Sequence, residues 1–392
     1  MRLRKRFKTS LLILVCIAVL GLAVVFIFGP RYIDKQSNVV VAVNLPKVSA
    51  DTAAFHQTLT IADMHEDILL WNRALLERHD RGHTDVPRLI EGNVSLQIFA
   101  AVTKSPKDLN YESNPSDSDM ITPLVMFQRW PVRSWFSLKE RALYQAQKLH
   151  TAAAESQGKL SVVTSAAGLS DYLASRGAGA QTLSGLLAIE GLHAIEGDLA
   201  NLDDLFNAGY RMMGLTHFFD NKVAGSAHGL QKGGLTDLGK QVLARMEQLG
   251  IVVDLAHLSP TAISEVLATV TKPVVVSHTG VQGTCPGVRN LTDDQLLKIA
   301  HNGGVVGLGY WDGAICDVSP KSFAKAARYV ADLVGVEHIG LGSDFDGYVT
   351  TGFDTAQLQY ITQALVYAGF TQFEIRLIMG GNTVRLLKAV LP

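Results

Sequence analysis

Eight short apolar runs separated by helix-patterned stretches set the tightest limit on how this chain can fold. They are Thr58–Met64, Val94–Val102, Ser184–Ile189, Tyr210–Leu215, Ile251–Ala256, Pro273–Ser277, Val305–Gly309 and His338–Gly342. Between them lie helical patterns such as Leu138–Ser156, Leu235–Leu249, Thr261–Thr269, Asp293–His301, Lys321–Leu333 and Thr355–Ala368. Near-continuous apolar strands are covered on both faces, and helices between them make the strand pairing parallel. Eight such units predict an α/β fold, a closed (β/α)8 TIM-type barrel over residues 58–392, rather than an open doubly wound sheet. No G-x-G-x-x-G or G-x-x-x-x-G-K-[ST] follows any run, which argues against a nucleotide-binding fold.

The residues that close these runs carry the chemistry. The first run ends in His65-Glu66-Asp67, the third in Glu190, the fourth in Thr216-His217, the fifth in Asp254-Leu-Ala-His257. The sixth ends in Ser277-His278 and the eighth leads into Ser343-Asp344-Phe345-Asp346. A barrel gathers all such ends on one rim, where its active sites form. One histidine at a strand end is usually a structural hydrogen-bonding group. Imidazoles and carboxylates at so many equivalent ends predict a metal centre suited to zinc. Asp67, Glu190 and Asp344 together carry −3, which two Zn2+ ions and one hydroxide would balance. Two ions sharing a carboxylate suit hydrolysis, since they acidify water and polarise a carbonyl. Glu190, the lone carboxylate at its strand end, is the expected bridge, and the barrel is expected to be of the metal-dependent hydrolase type.

The formal net charge of −1, from 35 basic and 36 acidic residues, conceals an uneven distribution. Residues 1–8 carry five basic and no acidic side chains, and Leu11–Phe28 then runs eighteen residues without a charge. At 1.5 Å per residue that run spans roughly 27 Å, close to the hydrocarbon core of a bilayer. No A-x-A-like cleavage site follows it, so the expectation is an uncleaved anchor over 11–29 with a basic cytoplasmic flank over 1–10. Residues 30–57 would be a linker, and the barrel would face out from the cell inner membrane, on the periplasmic or extracellular side. The remainder, with 30 basic against 36 acidic residues, has no basic patch, and no nucleic-acid partner is expected. Export permits disulfides, and two of the three cysteines, Cys285 and Cys316, lie beyond the anchor.

Several motifs together resemble one family. These are Asp63-Met-His-Glu-Asp67, His83-Thr-Asp-Val-Pro-Arg-Leu89, Ile189-Glu-Gly191, Gly214-Leu-Thr-His217, Asp254-Leu-Ala-His257, Ser277-His278, Arg289-Asn290 and Gly342-Ser-Asp-Phe-Asp-Gly347. In this order, from Ile61 to Leu387, they resemble the membrane (renal-type) dipeptidases, zinc peptidases of the amidohydrolase-like barrel group. The resemblance implies hydrolysis of dipeptides by a hydroxide bridging two zinc ions. It implies His65 and Asp67 on one zinc, His257 and His278 on the other, and Glu190 between them. Asp344 would shuttle the proton, His217 would meet the scissile carbonyl, and Arg289 would hold the terminal carboxylate, for which a guanidinium fork is suited. The family's disulfide falls on Cys285 and Cys316, and the family makes a homodimer possible.

The departures are Met64-His65-Glu66-Asp67 in place of Gly-His-Asn-Asp, Gly191-Leu192 in place of Gly-Gly, and Tyr310-Trp311-Asp312 in place of a tyrosine-bearing pattern. They bear on side-chain preference. The rival readings are the same centre acting on N-acyl amino acids or β-lactam amides, and a non-catalytic anchored binding protein. Among the remaining residues, His228 is expected to shape the pocket and Asp346 to accept hydrogen bonds within its loop. His56, His79, His150 and His301 are expected at the surface, and Trp311 as a packing aromatic or a wall of the pocket.

Overall fold

Strands fully buried on both faces can only line a closed or doubly covered sheet, and the eight apolar runs do so. The structure, a computed structural model, describes residues 2–177 and 181–392. The strands are β1 (Ile61–Glu66), β2 (Val94–Val102), β3 (Leu183–Glu190), β4 (Tyr210–Gly214), β5 (Val252–Asp254), β6 (Val275–Thr279), β7 (Val305–Leu308) and β8 (Ile339–Leu341). Each pairs in parallel with the next, and Leu341 of β8 pairs with Asp63 of β1 to close the ring. This is the expected (β/α)8 barrel. A short extra strand, Leu160–Val162, pairs with the first part of β3, whereas β4 pairs with its second part.

Alternation along the strands separates two apolar layers. Leu96, Ile98 and Ala100 of β2 join Ala62, Met64, Leu186, Ala188, Met212, Val252, Val275 and Val305 in one cluster. Phe99 and Ala101 point the other way, into the larger cluster shared with the outer helices. The C-terminal helix Asn382–Val390 adds Leu386, Leu387 and Val390 to the inner cluster. Helix starts follow the side-chain chemistry of their first residues. Ser137, Thr236, Ser259, Thr292 and Ser319 each accept a hydrogen bond from a first-turn backbone N–H, which satisfies donors the helix itself leaves open.

Strand β1 begins three residues later than the apolar run suggests and continues through His65 and Glu66. Its polar residues are accommodated by specific partners: Asp63 Oδ1 accepts from His65 N (3.1 Å) and Ser343 N (3.1 Å). His56, expected at the surface, is buried; its ring nitrogens lie 2.8 Å from Thr362 Oγ1 and 3.2 Å from the Gly92 carbonyl. Both partners come from distant chain segments, so no local pattern announces the burial.

The N-terminal helix runs Arg2–Ser37. Among the described residues no helix is long and apolar enough to cross a membrane. The anchor expected over 11–29 includes the side chains at 11, 12, 18–20, 22, 23 and 27, which lie outside the described residues. The segment 30–57 holds elements of its own. The helix continues to Ser37, Val39–Val40 pairs in parallel with Thr350–Thr351, and Ser49 caps the helix Ala50–His56. Cys285 and Cys316 form a disulfide with Cα atoms 5.4 Å apart, tying the loop after β6 to the loop after β7.

Candidate metal centre and substrate pocket

Of the eight expected site residues, all but Arg289 gather around Glu190, Asp67 and Asp344 by way of His65. Glu190 Oε1 lies 3.1 Å from His257 Nε2, 3.3 Å from His278 Nε2 and 3.6 Å from His65 Nε2. Its Oε2 lies 3.3 Å from His217 Nε2. His65 Nε2 is also 3.3 Å from Asp67 Oδ2 and 3.9 Å from Asp344 Oδ1. Three sets of potential ligand atoms result: His65, Glu190 and His278; Glu190, His217 and His257; His65, Asp67 and Asp344. His278 occupies strand β6 itself, while His257 and Asp344 each sit three residues beyond their strands. Both of these take left-handed backbone, with φ of 63° and 57°, which turns their side chains back over the rim.

The donor set fits a metal. The Nε2 atoms of His257 and His278 face each other at 3.0 Å, and buried Asp67 Oδ1 and His257 Nδ1 have no protein partner. Buried polar atoms are nearly always satisfied, so such a collection marks a place for a cation. The electrostatics agree. Burial holds the His257 and His278 imidazoles well below the usual histidine range, with Arg289 adding to the effect, which keeps them neutral lone-pair donors. Burial opposes ionisation of Glu190, yet His217 and His65 together with hydrogen bonds from His257 and His278 hold its carboxyl well below the usual carboxylate range. His65 shows the converse. Burial would lower it, but Asp67, Glu190 and Asp344 raise it to about 10. Asp344 is pushed well above the usual range by burial, with Asp67 and Glu190 adding and His65 and Arg289 opposing.

Arg289 borders this cluster. One of its terminal nitrogens, Nη2, donates to the His278 carbonyl (2.8 Å) and lies 3.4 Å from His257 Nε2. Its guanidinium carbon stands 5.5 Å from the Trp311 ring centroid. No carboxylate forms an ion pair with it among the described residues. Arg289, His257 and His228 share a cavity of about 180 Å3 with Lys232, Gln282 and Thr279. His228 shapes this side, as expected. Its ring stacks on Phe218 (4.8 Å between centroids), and its Nδ1 lies 2.6 Å from the Tyr111 carbonyl.

Two wall residues were not foreseen. Tyr111, from the polar loop after β2, accepts a hydrogen bond from Trp311 Nε1 (3.0 Å) and stacks near Phe218. Phe218 in turn packs against the rings of His217 and His257. The available signals were small: Phe218 adjoins a candidate site residue, and Tyr111 is the one aromatic residue in the stretch 105–120. His193 packs beside Phe219 with both ring nitrogens unpartnered. Its ring crowds Gly191, whose φ of 94° favours glycine there.

Barrel topology and a rim of convergent imidazoles and carboxylates define the class: a metal-dependent hydrolase built on a (β/α)8 barrel. A family model described as membrane dipeptidase (peptidase family M19) matches residues 50–391, and the chain belongs to that family. It is a peptide-bond hydrolase, a metallo-dipeptidase, and the family implies a bound metal. Among curated proteins it is similar to a dipeptidase of Aspergillus oryzae, aclJ, at 30% identity over 83% of this chain and 77% of that one. Two crystal structures are each 25% identical over 85% of this chain and 99% of theirs. One is dipeptidase AC, a metallopeptidase of family M19, with a TM-score of 0.70. The other is a metallopeptidase from Rhodobacter sphaeroides, solved with a phosphinate mimic of the dipeptide L-Ala-D-Ala, with a TM-score of 0.68.

Proposed function

We propose that this dipeptidase works with two zinc ions, one held by His65 and Asp67 and the other by His257 and His278, with Glu190 shared between them. The observation that carries the proposal is the position of Glu190, whose two oxygens meet four imidazole nitrogens at 3.1–3.6 Å. Bound zinc supplies acidity to a water molecule at neutral pH and polarises the scissile carbonyl. The remaining work belongs to the side chains. Arg289, buried and free of a carboxylate partner among the described residues, binds the terminal carboxylate of the substrate. His217, whose Nε2 faces the same space as Glu190, contacts the scissile carbonyl oxygen. Asp344 takes the proton from the attacking water as the new C–O bond forms. It then returns that proton to the amine nitrogen as the C–N bond breaks. Tyr111, Phe218 and Trp311 wall the substrate and exclude water.

The N-terminal helix is proposed as a single-pass anchor in the cell inner membrane, with the barrel outside the cytoplasm. Supporting this are the basic residues of 1–8 and the exposed apolar side chains Ile13, Leu14, Val15, Ile17, Val24, Val25 and Phe28. Extraction of the native protein from membranes by detergent but not by alkaline carbonate checks the anchor; release by carbonate rejects it. The proposed chemistry is tested by assaying the zinc-loaded chain on a panel of dipeptides. Cleavage that disappears with chelator and returns with zinc supports it, and a zinc-replete chain inert on the panel rejects it. A homodimer is a further expectation of the family, checked by mass in solution.

A further inference from the structure

The loop that carries Asp344 is unusual in its backbone. Asp344, Asp346 and Tyr348 all take left-handed conformations, with φ of 57°, 63° and 65°. Each is disfavoured for a residue bearing a Cβ. Three such residues within five positions need outside support, and much of it comes from the end of the N-terminal helix. Buried Asp34 makes ion pairs through its Oδ2 with Arg73 Nε (3.1 Å) and Arg81 Nε (2.8 Å). Arg73 then pairs with Asp346 Oδ2 (2.7 Å). Asp34 Oδ1 also accepts from Asn38 Nδ2 (3.1 Å), and Asn38 Oδ1 accepts from Tyr348 N (3.1 Å). Next, Val39 N donates to the Val349 carbonyl and Val41 N to the Thr351 carbonyl, extending the parallel pair Val39–Val40 with Thr350–Thr351. One short segment, 34–41, thus holds the loop both through a buried charge chain and through backbone pairing. It lies upstream of the residues matched by the family model, which begin at residue 50.

We infer that Asp34, with Asn38, is a positioning residue for the reaction, fixing the Asp344 carboxylate over the metal rim through Arg73, Asp346 and Tyr348. Neither side chain touches substrate. The inference rests on the reading of Asp344 as the proton carrier. Its consequence is that the residues joining the helix to the barrel belong to the catalytic apparatus, so shortening the chain to the matched family region would cost turnover.

The test uses the full-length zinc-loaded protein and a simple dipeptide. Asp34→Asn keeps the shape and removes the charge. It is expected to lower kcat about tenfold, with KM within about twofold and zinc content unchanged. Asp34→Glu should recover part of the loss. Asn38→Ala, which leaves the ion pairs in place, should lower kcat about threefold with the same split, and it decides the matter should Asp34→Asn fail to fold. Wild-type kcat in the folded variants overturns the inference. So does a fall that tracks lost zinc or an equal rise in KM, because that would be a general structural effect. Asp344→Asn is measured in parallel. Retained activity there removes the proton-carrier reading itself, whereas an inactive Asp344→Asn beside fully active Asp34→Asn and Asn38→Ala removes only the positioning inference.

Discussion

Asp344 and Asp346 stand two residues apart on one loop and in opposite surroundings. Asp346 is enclosed by donors: His83 N (2.8 Å), Thr84 N (3.1 Å) and Thr84 Oγ1 (2.6 Å), with Arg73 paired at 2.7 Å. Burial would raise its carboxyl, but Arg73 and these bonds hold it far below the usual range. Asp344 faces the imidazoles and two other carboxylates of the rim, and it is pushed well above that range. Both are buried, so burial does not distinguish them. The difference lies in whether the protein itself provides the balancing charge. Around Asp346 the protein provides it, and the result is scaffold. On the rim the protein leaves a deficit of positive charge, and that deficit is where a cation and chemistry belong.

The sharpest way to break this comparison is to neutralise each carboxylate. Asp344→Asn is expected to reduce kcat by about 10^3-fold or more while the melting temperature holds, because the side chain moves a proton and supports little else. Asp346→Asn should instead destabilise the protein by about 3 kcal/mol in denaturant unfolding, since it strips the buried Arg73 of a partner. Equal effects of the two on stability would erase the distinction. Next in size is Arg289→Ala, for which kcat/KM on dipeptides should fall about 100-fold through the lost carboxylate contact. An N-acylated amine lacking a free carboxylate should be indifferent to the change, which a competition assay reads directly.

Two smaller effects test the scaffold. Cys285→Ser removes a crosslink spanning 31 residues between the Arg289 loop and the loop after β7. A loss of about 3 kcal/mol is expected in chemical unfolding, absent when wild type is compared under reducing conditions. The last concerns pH. Burial holds His56 down at about 4, below its usual 6.5. The unfolded chain therefore binds the proton first, so the stability it contributes is complete above pH 6.5 and declines as pH falls from 6.5 toward 4. The decline is at most about 3 kcal/mol. His56→Gln should flatten that portion of a stability–pH curve, and an unchanged slope would contradict the assignment.

The barrel and its rim were legible because their signals are local. An apolar run followed by a histidine or carboxylate can be read within a few residues, and the barrel turns that local rule into convergence on Glu190. The boundary of β1 was less legible, because Asp63, His65 and Glu66 interrupt the apolar pattern while remaining strand. Asp63 and the His65 carbonyl are both bonded by Ser343, which lies 280 and 278 residues away in the chain. Long separations also hid His56, whose burial depends on Thr362 306 residues away, and Tyr111, whose hydroxyl meets Trp311 200 residues away. The support of the Asp344 loop by Asp34 and Asn38 was hidden for a further reason. Residues 34–41 read as a plain connection, since a lone buried aspartate between two arginines leaves no periodic trace.

In the proposed function, two zinc ions fill the charge deficit at Glu190 and both take part in hydrolysis. This is tested most directly by elemental analysis of the purified zinc-loaded protein, with dipeptidase activity followed as zinc is added back to the chelated chain. About two zinc per chain are expected, with full activity only as the second site fills and marked loss of both zinc and activity in Glu190→Gln. Full activity with one zinc per chain, or a Glu190→Gln variant that keeps both metal and activity, would contradict this proposal.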